Sequence, residues 1–413
     1  MVTESWVEIP AGSDFPLHNL PYGVFSRPGD ESPATAERRR VCVAIGPYVL
    51  DLAALSASGT ALPFAAEFGT GSLNAFMAHG RPAWAAARQR LTELLSDRSH
   101  QPAVRPHLIP IERVRLHLPF EVGDYVDFYS SRDHAENVGK LFRPDSPALP
   151  ASWLHLPIGY HGRAGTVVVS GTPIVRPSGQ RRPPGTTDPV FGASTRLDIE
   201  AEVGFVVGTG SRLGAPVPTT AFDEHIFGVV LVNDWSARDI QAWEYQPLGP
   251  FLGKSFATSI SPWVVPLDAL RAARVAPPPP RLPQQPYLHE GTATGLDLTL
   301  EIEWNGTVVS RPQFRSMYWT PGQQLAHLTI NGASIRTGDL YASGTVSGPE
   351  PDQRGSFLEL SWNGNQPVTL GDGRTRTFLE DGDTVTIRAR APGENGIALG
   401  FGDVAGTIVA AVR

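Results

Sequence analysis

The stretch that decides the fold is IFGVVLVNDW, residues 226–235. Its unbroken apolar run predicts a buried strand with the acidic Asp234 at its end. The stretch LDIEAEVGFVV, residues 197–207, alternates instead, so its strand would carry Asp198, Glu200 and Glu202 on one face and apolar side chains on the other. The alternative for this second stretch is a solvent-facing edge strand, on which acidic side chains discourage aggregation.

The composition predicts a mainly β fold with some helix, an α+β class. The 413 residues include 42 glycines and 39 prolines, and these closely punctuate short apolar runs, which is typical of strands joined by turns. One clear helix begins near Pro82 and ends by about Asp97. We expect a small N-terminal domain over residues 1–117 and a larger domain over residues 118–413.

The charge balance favours a small-molecule partner. The net charge is -7 and no basic cluster is present, which argues against a nucleic acid or an anionic membrane surface as partner. No apolar run is long enough to cross a bilayer, and the first 20 residues lack the order of a secretory signal, so we expect a cytoplasmic protein. Cys42 is the only cysteine, which excludes an internal disulfide.

A second polar stretch, DFYSSRDHA at residues 127–135, combines a carboxylate, a phenol and an imidazole. By itself such a run is typical of a solvated turn. Together with Glu200, Glu202 and Asp234, however, Asp127 completes an oxygen-rich set of candidate ligands. Oxygen ligands suit a hard cation, namely Ca²⁺, Mg²⁺ or Mn²⁺, better than zinc or copper.

His134 and Glu359 are candidates for a general base and its orienting carboxylate. Glu359 interrupts the apolar run GSFLELSW, residues 355–362, which we interpret as a strand. A carboxylate there is costly to bury without a partner, and a histidine would be suitable. No Gly-x-Ser-x-Gly elbow, P-loop or dinucleotide fingerprint is present, so water is the expected nucleophile.

A helix is predicted directly after Asp234, with Ser236 as its N-cap and Asp239 three positions on. One face of that helix would carry Arg238, Gln241 and Tyr245. Lys140 and Lys254 are the only lysines, so 32 of the 34 basic residues are arginine. Lys254 nevertheless lies in an apolar, glycine-flanked segment. A lysine ammonium is compact and has a pKa that its surroundings can shift, which is not true of an arginine guanidinium. Arg238, Gln241 and Lys254 could therefore donate to a developing oxyanion.

Several motifs together resemble the fumarylacetoacetase family. They are DFYSS at 127–131 with His134, WLHLP at 153–157, GYHGR at 159–163, NDWSARDIQ at 233–241, PLGPFLGKS at 247–255 and ASGT at 342–345. The resemblance implies an N-terminal SH3-like barrel followed by a mixed β-roll, assembled as a homodimer. It also implies hydrolysis of the carbon–carbon bond of 4-fumarylacetoacetate to fumarate and acetoacetate, the last step of tyrosine and phenylalanine breakdown.

The same resemblance implies roles for individual residues. The implied metal ligands are Asp127, Glu200, Glu202 and Asp234, with Lys254 and Thr258 at a nearby magnesium site. The implied catalytic groups are His134, which would activate water, Glu359, which would orient it, and the oxyanion donors Arg238, Gln241 and Lys254. The implied substrate contacts are Tyr129, Arg143, Tyr160, Gln241, Tyr245 and Thr345. Ala257 departs from the family pattern, which has glycine there.

Two other functions stay open on sequence grounds. The wider superfamily includes acylpyruvate hydrolases, decarboxylases and hydratases, and His134 together with Tyr129 and Arg143 favours fumarylacetoacetate over their substrates. A catalytically silent, metal-stabilised binding protein is the second alternative. It would gain thermal stability from divalent cations without consuming any diketo acid.

Overall fold

The stretch 226–235 forms the central strand of the largest sheet in this computed structural model, which describes residues 4–28, 39–291 and 294–412. Strand Ile226–Asp234 is buried along its whole length. It pairs antiparallel with Ala201–Val207 on one side and with Thr258–Ile260 and Val265–Pro266 on the other. The prediction of a buried strand that ends at Asp234 is therefore confirmed.

This eight-stranded sheet combines antiparallel and parallel pairs. Most pairs are antiparallel, but Leu340–Ala342 runs parallel to Tyr125–Phe128, and Thr258–Ile260 runs parallel to Val167–Val169. The order across the sheet is Gly159–His161, Tyr125–Phe128, Leu340–Ala342, Ala201–Val207, Ile226–Asp234, Thr258–Ile260 and Val167–Val169, with Val265–Pro266 beside Ile226–Asp234.

Both faces of the central strand are covered, which explains why its sequence is apolar without alternation. Val229 and Leu231 pack in a core shared with the C-terminal sheet. Val230 and Val232 pack in a second core, shared with the N-terminal sheet and its helix. Since a strand alternates its side chains between two faces, one apolar run supplies both cores.

The C-terminal sheet lies over the first of these cores. Its strands in order are Thr307–Ser310, Thr299–Trp304, Thr384–Pro392, Ala398–Val409 and Ile174–Val175. Residues at alternate positions of Thr299–Trp304, namely Leu300, Ile302 and Trp304, are fully buried. The short ladders elsewhere pair Ser178–Arg181 with Val190–Ala193, Leu197–Asp198 with Ser236–Ala237, Arg274–Val275 with Gly295–Leu296, and Val368–Thr369 with Thr375–Arg376.

The N-terminal sheet covers the second core. Its strands in order are Leu108–Pro110, Tyr48–Asp51, Arg40–Ile45, Tyr22–Ser26 and Arg115–His117. Helix Arg81–Ser96 packs here, as the sequence predicts, and its apolar face consists of Trp84, Ala87, Leu91, Leu94 and Leu95, all buried. The predicted class, mainly β with some helix, is confirmed.

The other helices are short. The α-helices are Leu52–Ala57, Asn74–Met77, Arg81–Ser96, Gln101–Val104, Arg132–Phe142, Phe222–His225, Arg238–Glu244, Pro321–Thr329 and Phe357–Leu360. The 3-10 turns are Glu67–Gly69, Arg98–His100, Arg105–His107, Ile111–Arg113, Ala164–Thr166, Thr219–Ala221, Leu267–Ala273, Pro286–Leu288, Phe314–Ser316, Pro351–Gln353 and Glu394–Gly396. In the part of the chain that the structure describes, no helix combines the length and apolar character needed to cross a membrane.

Three predictions of local structure are wrong. The single strand predicted over residues 197–207 is two strands, Leu197–Asp198 and Ala201–Val207, because Leu197–Asp198 pairs with Ser236–Ala237 outside the large sheet. Glu359 lies on helix Phe357–Leu360 and not on a strand, because the Ser356 side chain accepts a hydrogen bond from the Glu359 backbone and starts a helical turn. Ser236 does not cap the next helix, because its backbone pairs with Asp198 in a short ladder. That helix therefore begins at Arg238, and the carboxylate of Asp239 accepts hydrogen bonds from Ser194 and Thr195 instead.

Candidate active site

Four carboxylates on or next to three strands of the large sheet meet at one end of that sheet. Asp127 lies near the end of strand Tyr125–Phe128, Asp234 ends Ile226–Asp234, Glu202 lies at the start of Ala201–Val207, and Glu200 directly precedes that strand. Each of the four residues offers an oxygen, and these oxygens all lie within 4.8 Å of one another. All four side chains are buried, so the edge-strand alternative is wrong and the alternating pattern marks an interior site.

Several oxygens of this carboxylate cluster have no hydrogen-bond partner among the described residues. They are Asp127 Oδ1 and both carboxylate oxygens of Glu202. Burial, and after it the neighbouring carboxylates, raise the pKa of Asp127 and of Glu202 well above the ordinary range. Buried, unpartnered anionic oxygens are costly, so the cluster is suited to a hard cation.

Two buried cations neutralise part of the cluster. Lys254 Nζ contacts a carboxylate oxygen of Glu200 and lies 2.8 Å from Asp234 Oδ2. Arg238 Nη1 lies 2.7 Å from Glu200 Oε1. Burial alone would raise the pKa of Glu200, but Lys254, Arg238 and His134 outweigh it and the pKa is lowered. Four carboxylates against two fixed cations leave a formal surplus of negative charge, which a divalent cation would balance.

A histidine–carboxylate pair adjoins this cluster. His134 lies in the first turn of helix Arg132–Phe142, where the Ser131 hydroxyl accepts from its backbone at 3.2 Å. Its Nδ1 lies 2.7 Å from Glu359 Oε2, and its Nε2 lies 3.9 Å from Glu200 Oε1. Both side chains are buried. An ionised carboxylate can only accept hydrogen bonds, so His134 Nδ1 must carry the proton that it donates to Glu359. His134 Nε2 therefore has the lone pair that can take a proton.

Glu359 is itself held by several donors. Its carboxylate accepts hydrogen bonds from Asn137 Nδ2 at 3.0 Å, Ser347 Oγ at 2.9 Å and Ser356 Oγ at 2.8 Å, besides His134. Burial alone would raise the pKa of Glu359, but His134 and these hydrogen bonds outweigh it and the pKa is lowered. Glu359 therefore stays ionised beside the imidazole.

The predicted substrate contacts fall into two groups. Close to the cluster, the Tyr160 hydroxyl oxygen lies 2.9 Å from both Asp127 Oδ2 and Asp234 Oδ2 and shares its one proton between them. The Tyr129 ring stands edge-on to His134 with centroids 5.4 Å apart, and Gln241 Oε1 accepts from Arg238 Nη1 at 3.1 Å.

The second group makes contacts outside the cluster. The Arg143 side chain donates to the Ala148 carbonyl at 3.2 Å, and the Tyr245 hydroxyl accepts from Gln246 at 3.1 Å. Thr345 is buried, and its hydroxyl has no hydrogen-bond partner among the residues that the structure describes. At the predicted second metal position, Thr258 donates to Asp234 Oδ1 at 2.7 Å.

The chain matches known sequence families along nearly its whole length. Residues 18–119 match the family described as fumarylacetoacetase N-terminal, and residues 125–409 match the one described as fumarylacetoacetate (FAA) hydrolase C-terminal. The chain belongs to the fumarylacetoacetase family. The predicted membership is therefore confirmed, and with it the expected fold of a small N-terminal unit followed by the family's larger C-terminal roll.

Individual members of the family are similar over their full length. Fumarylacetoacetase of Homo sapiens is 48% identical over 422 residues, which cover 99% of each chain. That of Arabidopsis thaliana is 46% identical over 423 residues, which cover 98% of each chain. The structure of a fumarylacetoacetate hydrolase from Exiguobacterium antarcticum has the same fold, with a TM-score of 0.56 at 17% identity over 95% of this chain and 99% of that one. The protein is thus a hydrolytic enzyme of the fumarylacetoacetase family.

Some residues of the site escape prediction from sequence. Asn137, Ser347 and Ser356 hold Glu359, but in the sequence nothing distinguishes them from other polar residues of helices and loops. Asp198 can be noticed in the sequence, because the alternation of residues 197–207 predicts it on one strand face with Glu200 and Glu202. The structure separates it from the carboxylate cluster and places it against Arg238 Nε at 2.7 Å.

Proposed function

We propose that this protein hydrolyses the carbon–carbon bond of 4-fumarylacetoacetate, giving fumarate and acetoacetate. The observation that carries the proposal is the buried His134–Glu359 pair, whose free Nε2 lies next to the carboxylate cluster. Identity of 48% to a fumarylacetoacetase over 99% of both chains supports the choice of substrate.

The base in this proposal is His134. Glu359 fixes the proton on Nδ1, so Nε2 removes a proton from water and the resulting hydroxide attacks a carbonyl carbon of the diketone. The carboxylate also stabilises the imidazolium formed in that step. The geometry supports His134 over other bases because it is the buried imidazole in contact with both a carboxylate partner and the cluster.

A divalent cation fits the carboxylate cluster. Asp127, Glu200, Glu202 and Asp234 would hold it, and Ca²⁺ or Mg²⁺, or alternatively Mn²⁺, suits their oxygen atoms. When bound, the cation supplies Lewis acidity that polarises the diketone oxygens.

The proposed second magnesium position lies near Lys254 and Thr258. Burial alone would lower the pKa of Lys254, but Asp234 and Glu200 raise it above its ordinary value, so its side chain stays an ammonium without a lone pair. Lys254 could serve a cation there only through its backbone carbonyl, whereas Thr258 could offer its hydroxyl oxygen.

The oxyanion donors are Arg238, Gln241 and Lys254. Arg238 Nη2 is buried and has no hydrogen-bond partner in the described ranges. Gln241 accepts from Arg238 through Oε1, so its amide nitrogen stays available as a donor. Lys254 has three N–H groups and two carboxylate partners. Each group thus retains at least one donor for the alkoxide that forms when water adds to the carbonyl.

Collapse of that alkoxide breaks the carbon–carbon bond. The electron pair of the bond leaves with the acetoacetate carbon as an enolate, and the proton held on His134 passes to that carbon. The fumaryl carbon keeps the hydroxyl from water as a carboxylic acid, which releases its proton to solvent and leaves as a carboxylate. We propose that the substrate is held by Tyr129, Arg143, Tyr160, Gln241, Tyr245 and Thr345, with Arg143 as the cation available for a substrate carboxylate.

The test is the loss of fumarylacetoacetate absorbance with Mg²⁺ or Ca²⁺, and again with chelator. We expect turnover with the cation and little without it. His134→Ala should lower kcat at least 100-fold, a general-base contribution, while the cation still raises Tm. His79→Ala is the matched control, because His79 also pairs with a carboxylate, Glu67 at 2.8 Å, but this pair is on the surface and is not part of the carboxylate cluster.

The results also separate the alternatives. A wild type that gains stability from the cation but leaves fumarylacetoacetate intact would refute the proposal and favour a silent binding protein. Faster loss of an acylpyruvate than of fumarylacetoacetate would favour the wider superfamily's chemistry. Unchanged turnover in His134→Ala would refute the assignment of the base.

The cellular setting is proposed on the same family grounds. We place the reaction at the last step of tyrosine and phenylalanine breakdown, in the cytoplasm, in a homodimer acting on a small diketo acid. The division into domains 1–117 and 118–413 is likewise proposed. The two family matches, which end at residue 119 and begin at residue 125, support that boundary.

A further inference from the structure

Asp198 is a buried carboxylate that lies outside the carboxylate cluster and accepts hydrogen bonds from separate parts of the chain. Its Oδ2 accepts from Arg238 Nε at 2.7 Å and from the Leu358 backbone at 3.0 Å. Its Oδ1 accepts from the backbones of Phe357 and Ile199, both at 2.7 Å. The side chain is fully buried, so none of these donors has water as an alternative partner.

The elements joined by Asp198 carry the two halves of the proposed chemistry. Phe357 and Leu358 begin the short helix whose next residue is Glu359, the partner of His134. Arg238 begins the helix Arg238–Glu244 and reaches Glu200 and Gln241. One carboxylate therefore contacts both the helix that orients the base and the guanidinium proposed as an oxyanion donor.

We propose that Asp198 is a positioning residue, which fixes the oxyanion donor Arg238 at a set orientation to the His134–Glu359 base. The inference rests on the proposed function, because it assigns how that reaction's donor is held. Asp198 itself need not touch the substrate.

The shape of the guanidinium explains why a second carboxylate is needed. Arginine presents its donors in a rigid planar fork. Arg238 directs Nε at Asp198 and Nη1 at Glu200, which leaves Nη2 buried without a partner in the described part of the chain. Without Asp198, the fork could turn to pair with Glu200 through two nitrogens, the preferred bidentate arrangement, and Nη2 would no longer be free.

Asp198→Asn tests this orientation. The asparagine oxygen can still accept from Phe357 and Ile199 at the Oδ1 position, whereas an amide nitrogen at the Oδ2 position cannot accept from Arg238 Nε or from the Leu358 backbone. We expect kcat for fumarylacetoacetate to fall about 10- to 100-fold, as for other partners that orient a site residue, with KM changed less than threefold. The Tm rise with Mg²⁺ should persist.

Asp51→Asn is the matched control. Asp51 is also fully buried, caps a helix through the Ala54 backbone at 3.0 Å and lies 3.3 Å from Arg40 Nε, but in the N-terminal sheet. It should lower Tm and leave kcat unchanged. If Asp198 had only a structural role, Asp198→Asn would leave kcat unchanged, as Asp51→Asn should. That result would overturn the proposal.

A double-mutant cycle supplies the decisive readout. If Asp198 acts through Arg238, Asp198→Asn should change kcat less than twofold in an Arg238→Met background. Equal losses in both backgrounds would refute the inference while leaving the function intact. A wild type without turnover would refute the function and the inference with it.

A further variant covers the case in which Asp198→Asn does not fold. Arg238→Lys keeps the positive charge but cannot contact Asp198 and Glu200 with a fixed fork, so kcat should fall about 10- to 100-fold. Wild-type kcat in Arg238→Lys would show that the contact with Asp198 is dispensable and would overturn the proposal.

Discussion

Replacing Glu359 by glutamine should slow turnover about a thousandfold. The Glu359 carboxylate lies 2.7 Å from Nδ1 of His134, both groups are buried, and turnover places a positive charge on that imidazole. Two unit charges whose centres lie about 4 Å apart interact by about 4 kcal/mol at an effective permittivity of about 20. Loss of that interaction from the transition state corresponds to a factor of about 10³ in kcat.

The substitution should preserve the fold. Glutamine has the same shape, and its oxygen at the Oε2 position can still accept from His134, Ser347 and Ser356. Its amide nitrogen would face Asn137, which can turn its own amide to present an oxygen. Only the charge beside the imidazole is lost.

The assay is the loss of fumarylacetoacetate absorbance with saturating Mg²⁺, together with Tm in the same buffer. Glu67→Gln is the control, because Glu67 pairs with His79 at 2.8 Å on the surface and should give wild-type kcat when changed. A kcat within threefold of wild type in Glu359→Gln, at an unchanged Tm, would refute the role of Glu359. A large rise in KM with unaltered kcat would instead show that the pair binds substrate.

Two more predictions concern metal and pH. Glu202→Gln should stabilise the metal-free protein by about 1–3 kcal/mol, because it removes a buried, unpartnered carboxylate. The same variant should lose most of the Tm rise that Mg²⁺ or Ca²⁺ gives the wild type. An undiminished Tm rise would contradict the cation site. The lowered pKa of Glu359 stabilises the fold at pH values above the unfolded pKa of about 4.3, and this contribution is lost as the pH falls through the folded value. The difference in unfolding free energy between wild type and Glu359→Gln should therefore shrink as the pH falls from 5 to 3 in urea titrations, and a constant difference would contradict the assignment.

The sequence predicts local elements well where a pattern is compatible with only one kind of structure. The apolar run 226–235 can only be a buried element, and the alternation in 197–207 places Ile199, Ala201 and Val203 in the core as expected. Glu359 shows the limit of such patterns. A four-residue apolar run with one carboxylate fits a strand or a helical turn equally well, and the Ser356 cap together with the Asp198 carboxylate decides for the helix.

The sequence by itself determined the buried central strand, the oxygen-rich ligand set and, through its motifs, the family. Only the tertiary structure decided which groups meet. His134 and Glu359 are 225 residues apart, and Asp198 and Phe357 are 159 apart, so no local pattern encodes either contact. Strand pairing brings the four carboxylates of the cluster together, because the parallel alignment of Ala342 with Asp127 and the antiparallel alignment of Ala201 with Asn233 place separate strand termini at one end of the sheet. There, burial makes each carboxylate depend on the particular donor that the fold supplies.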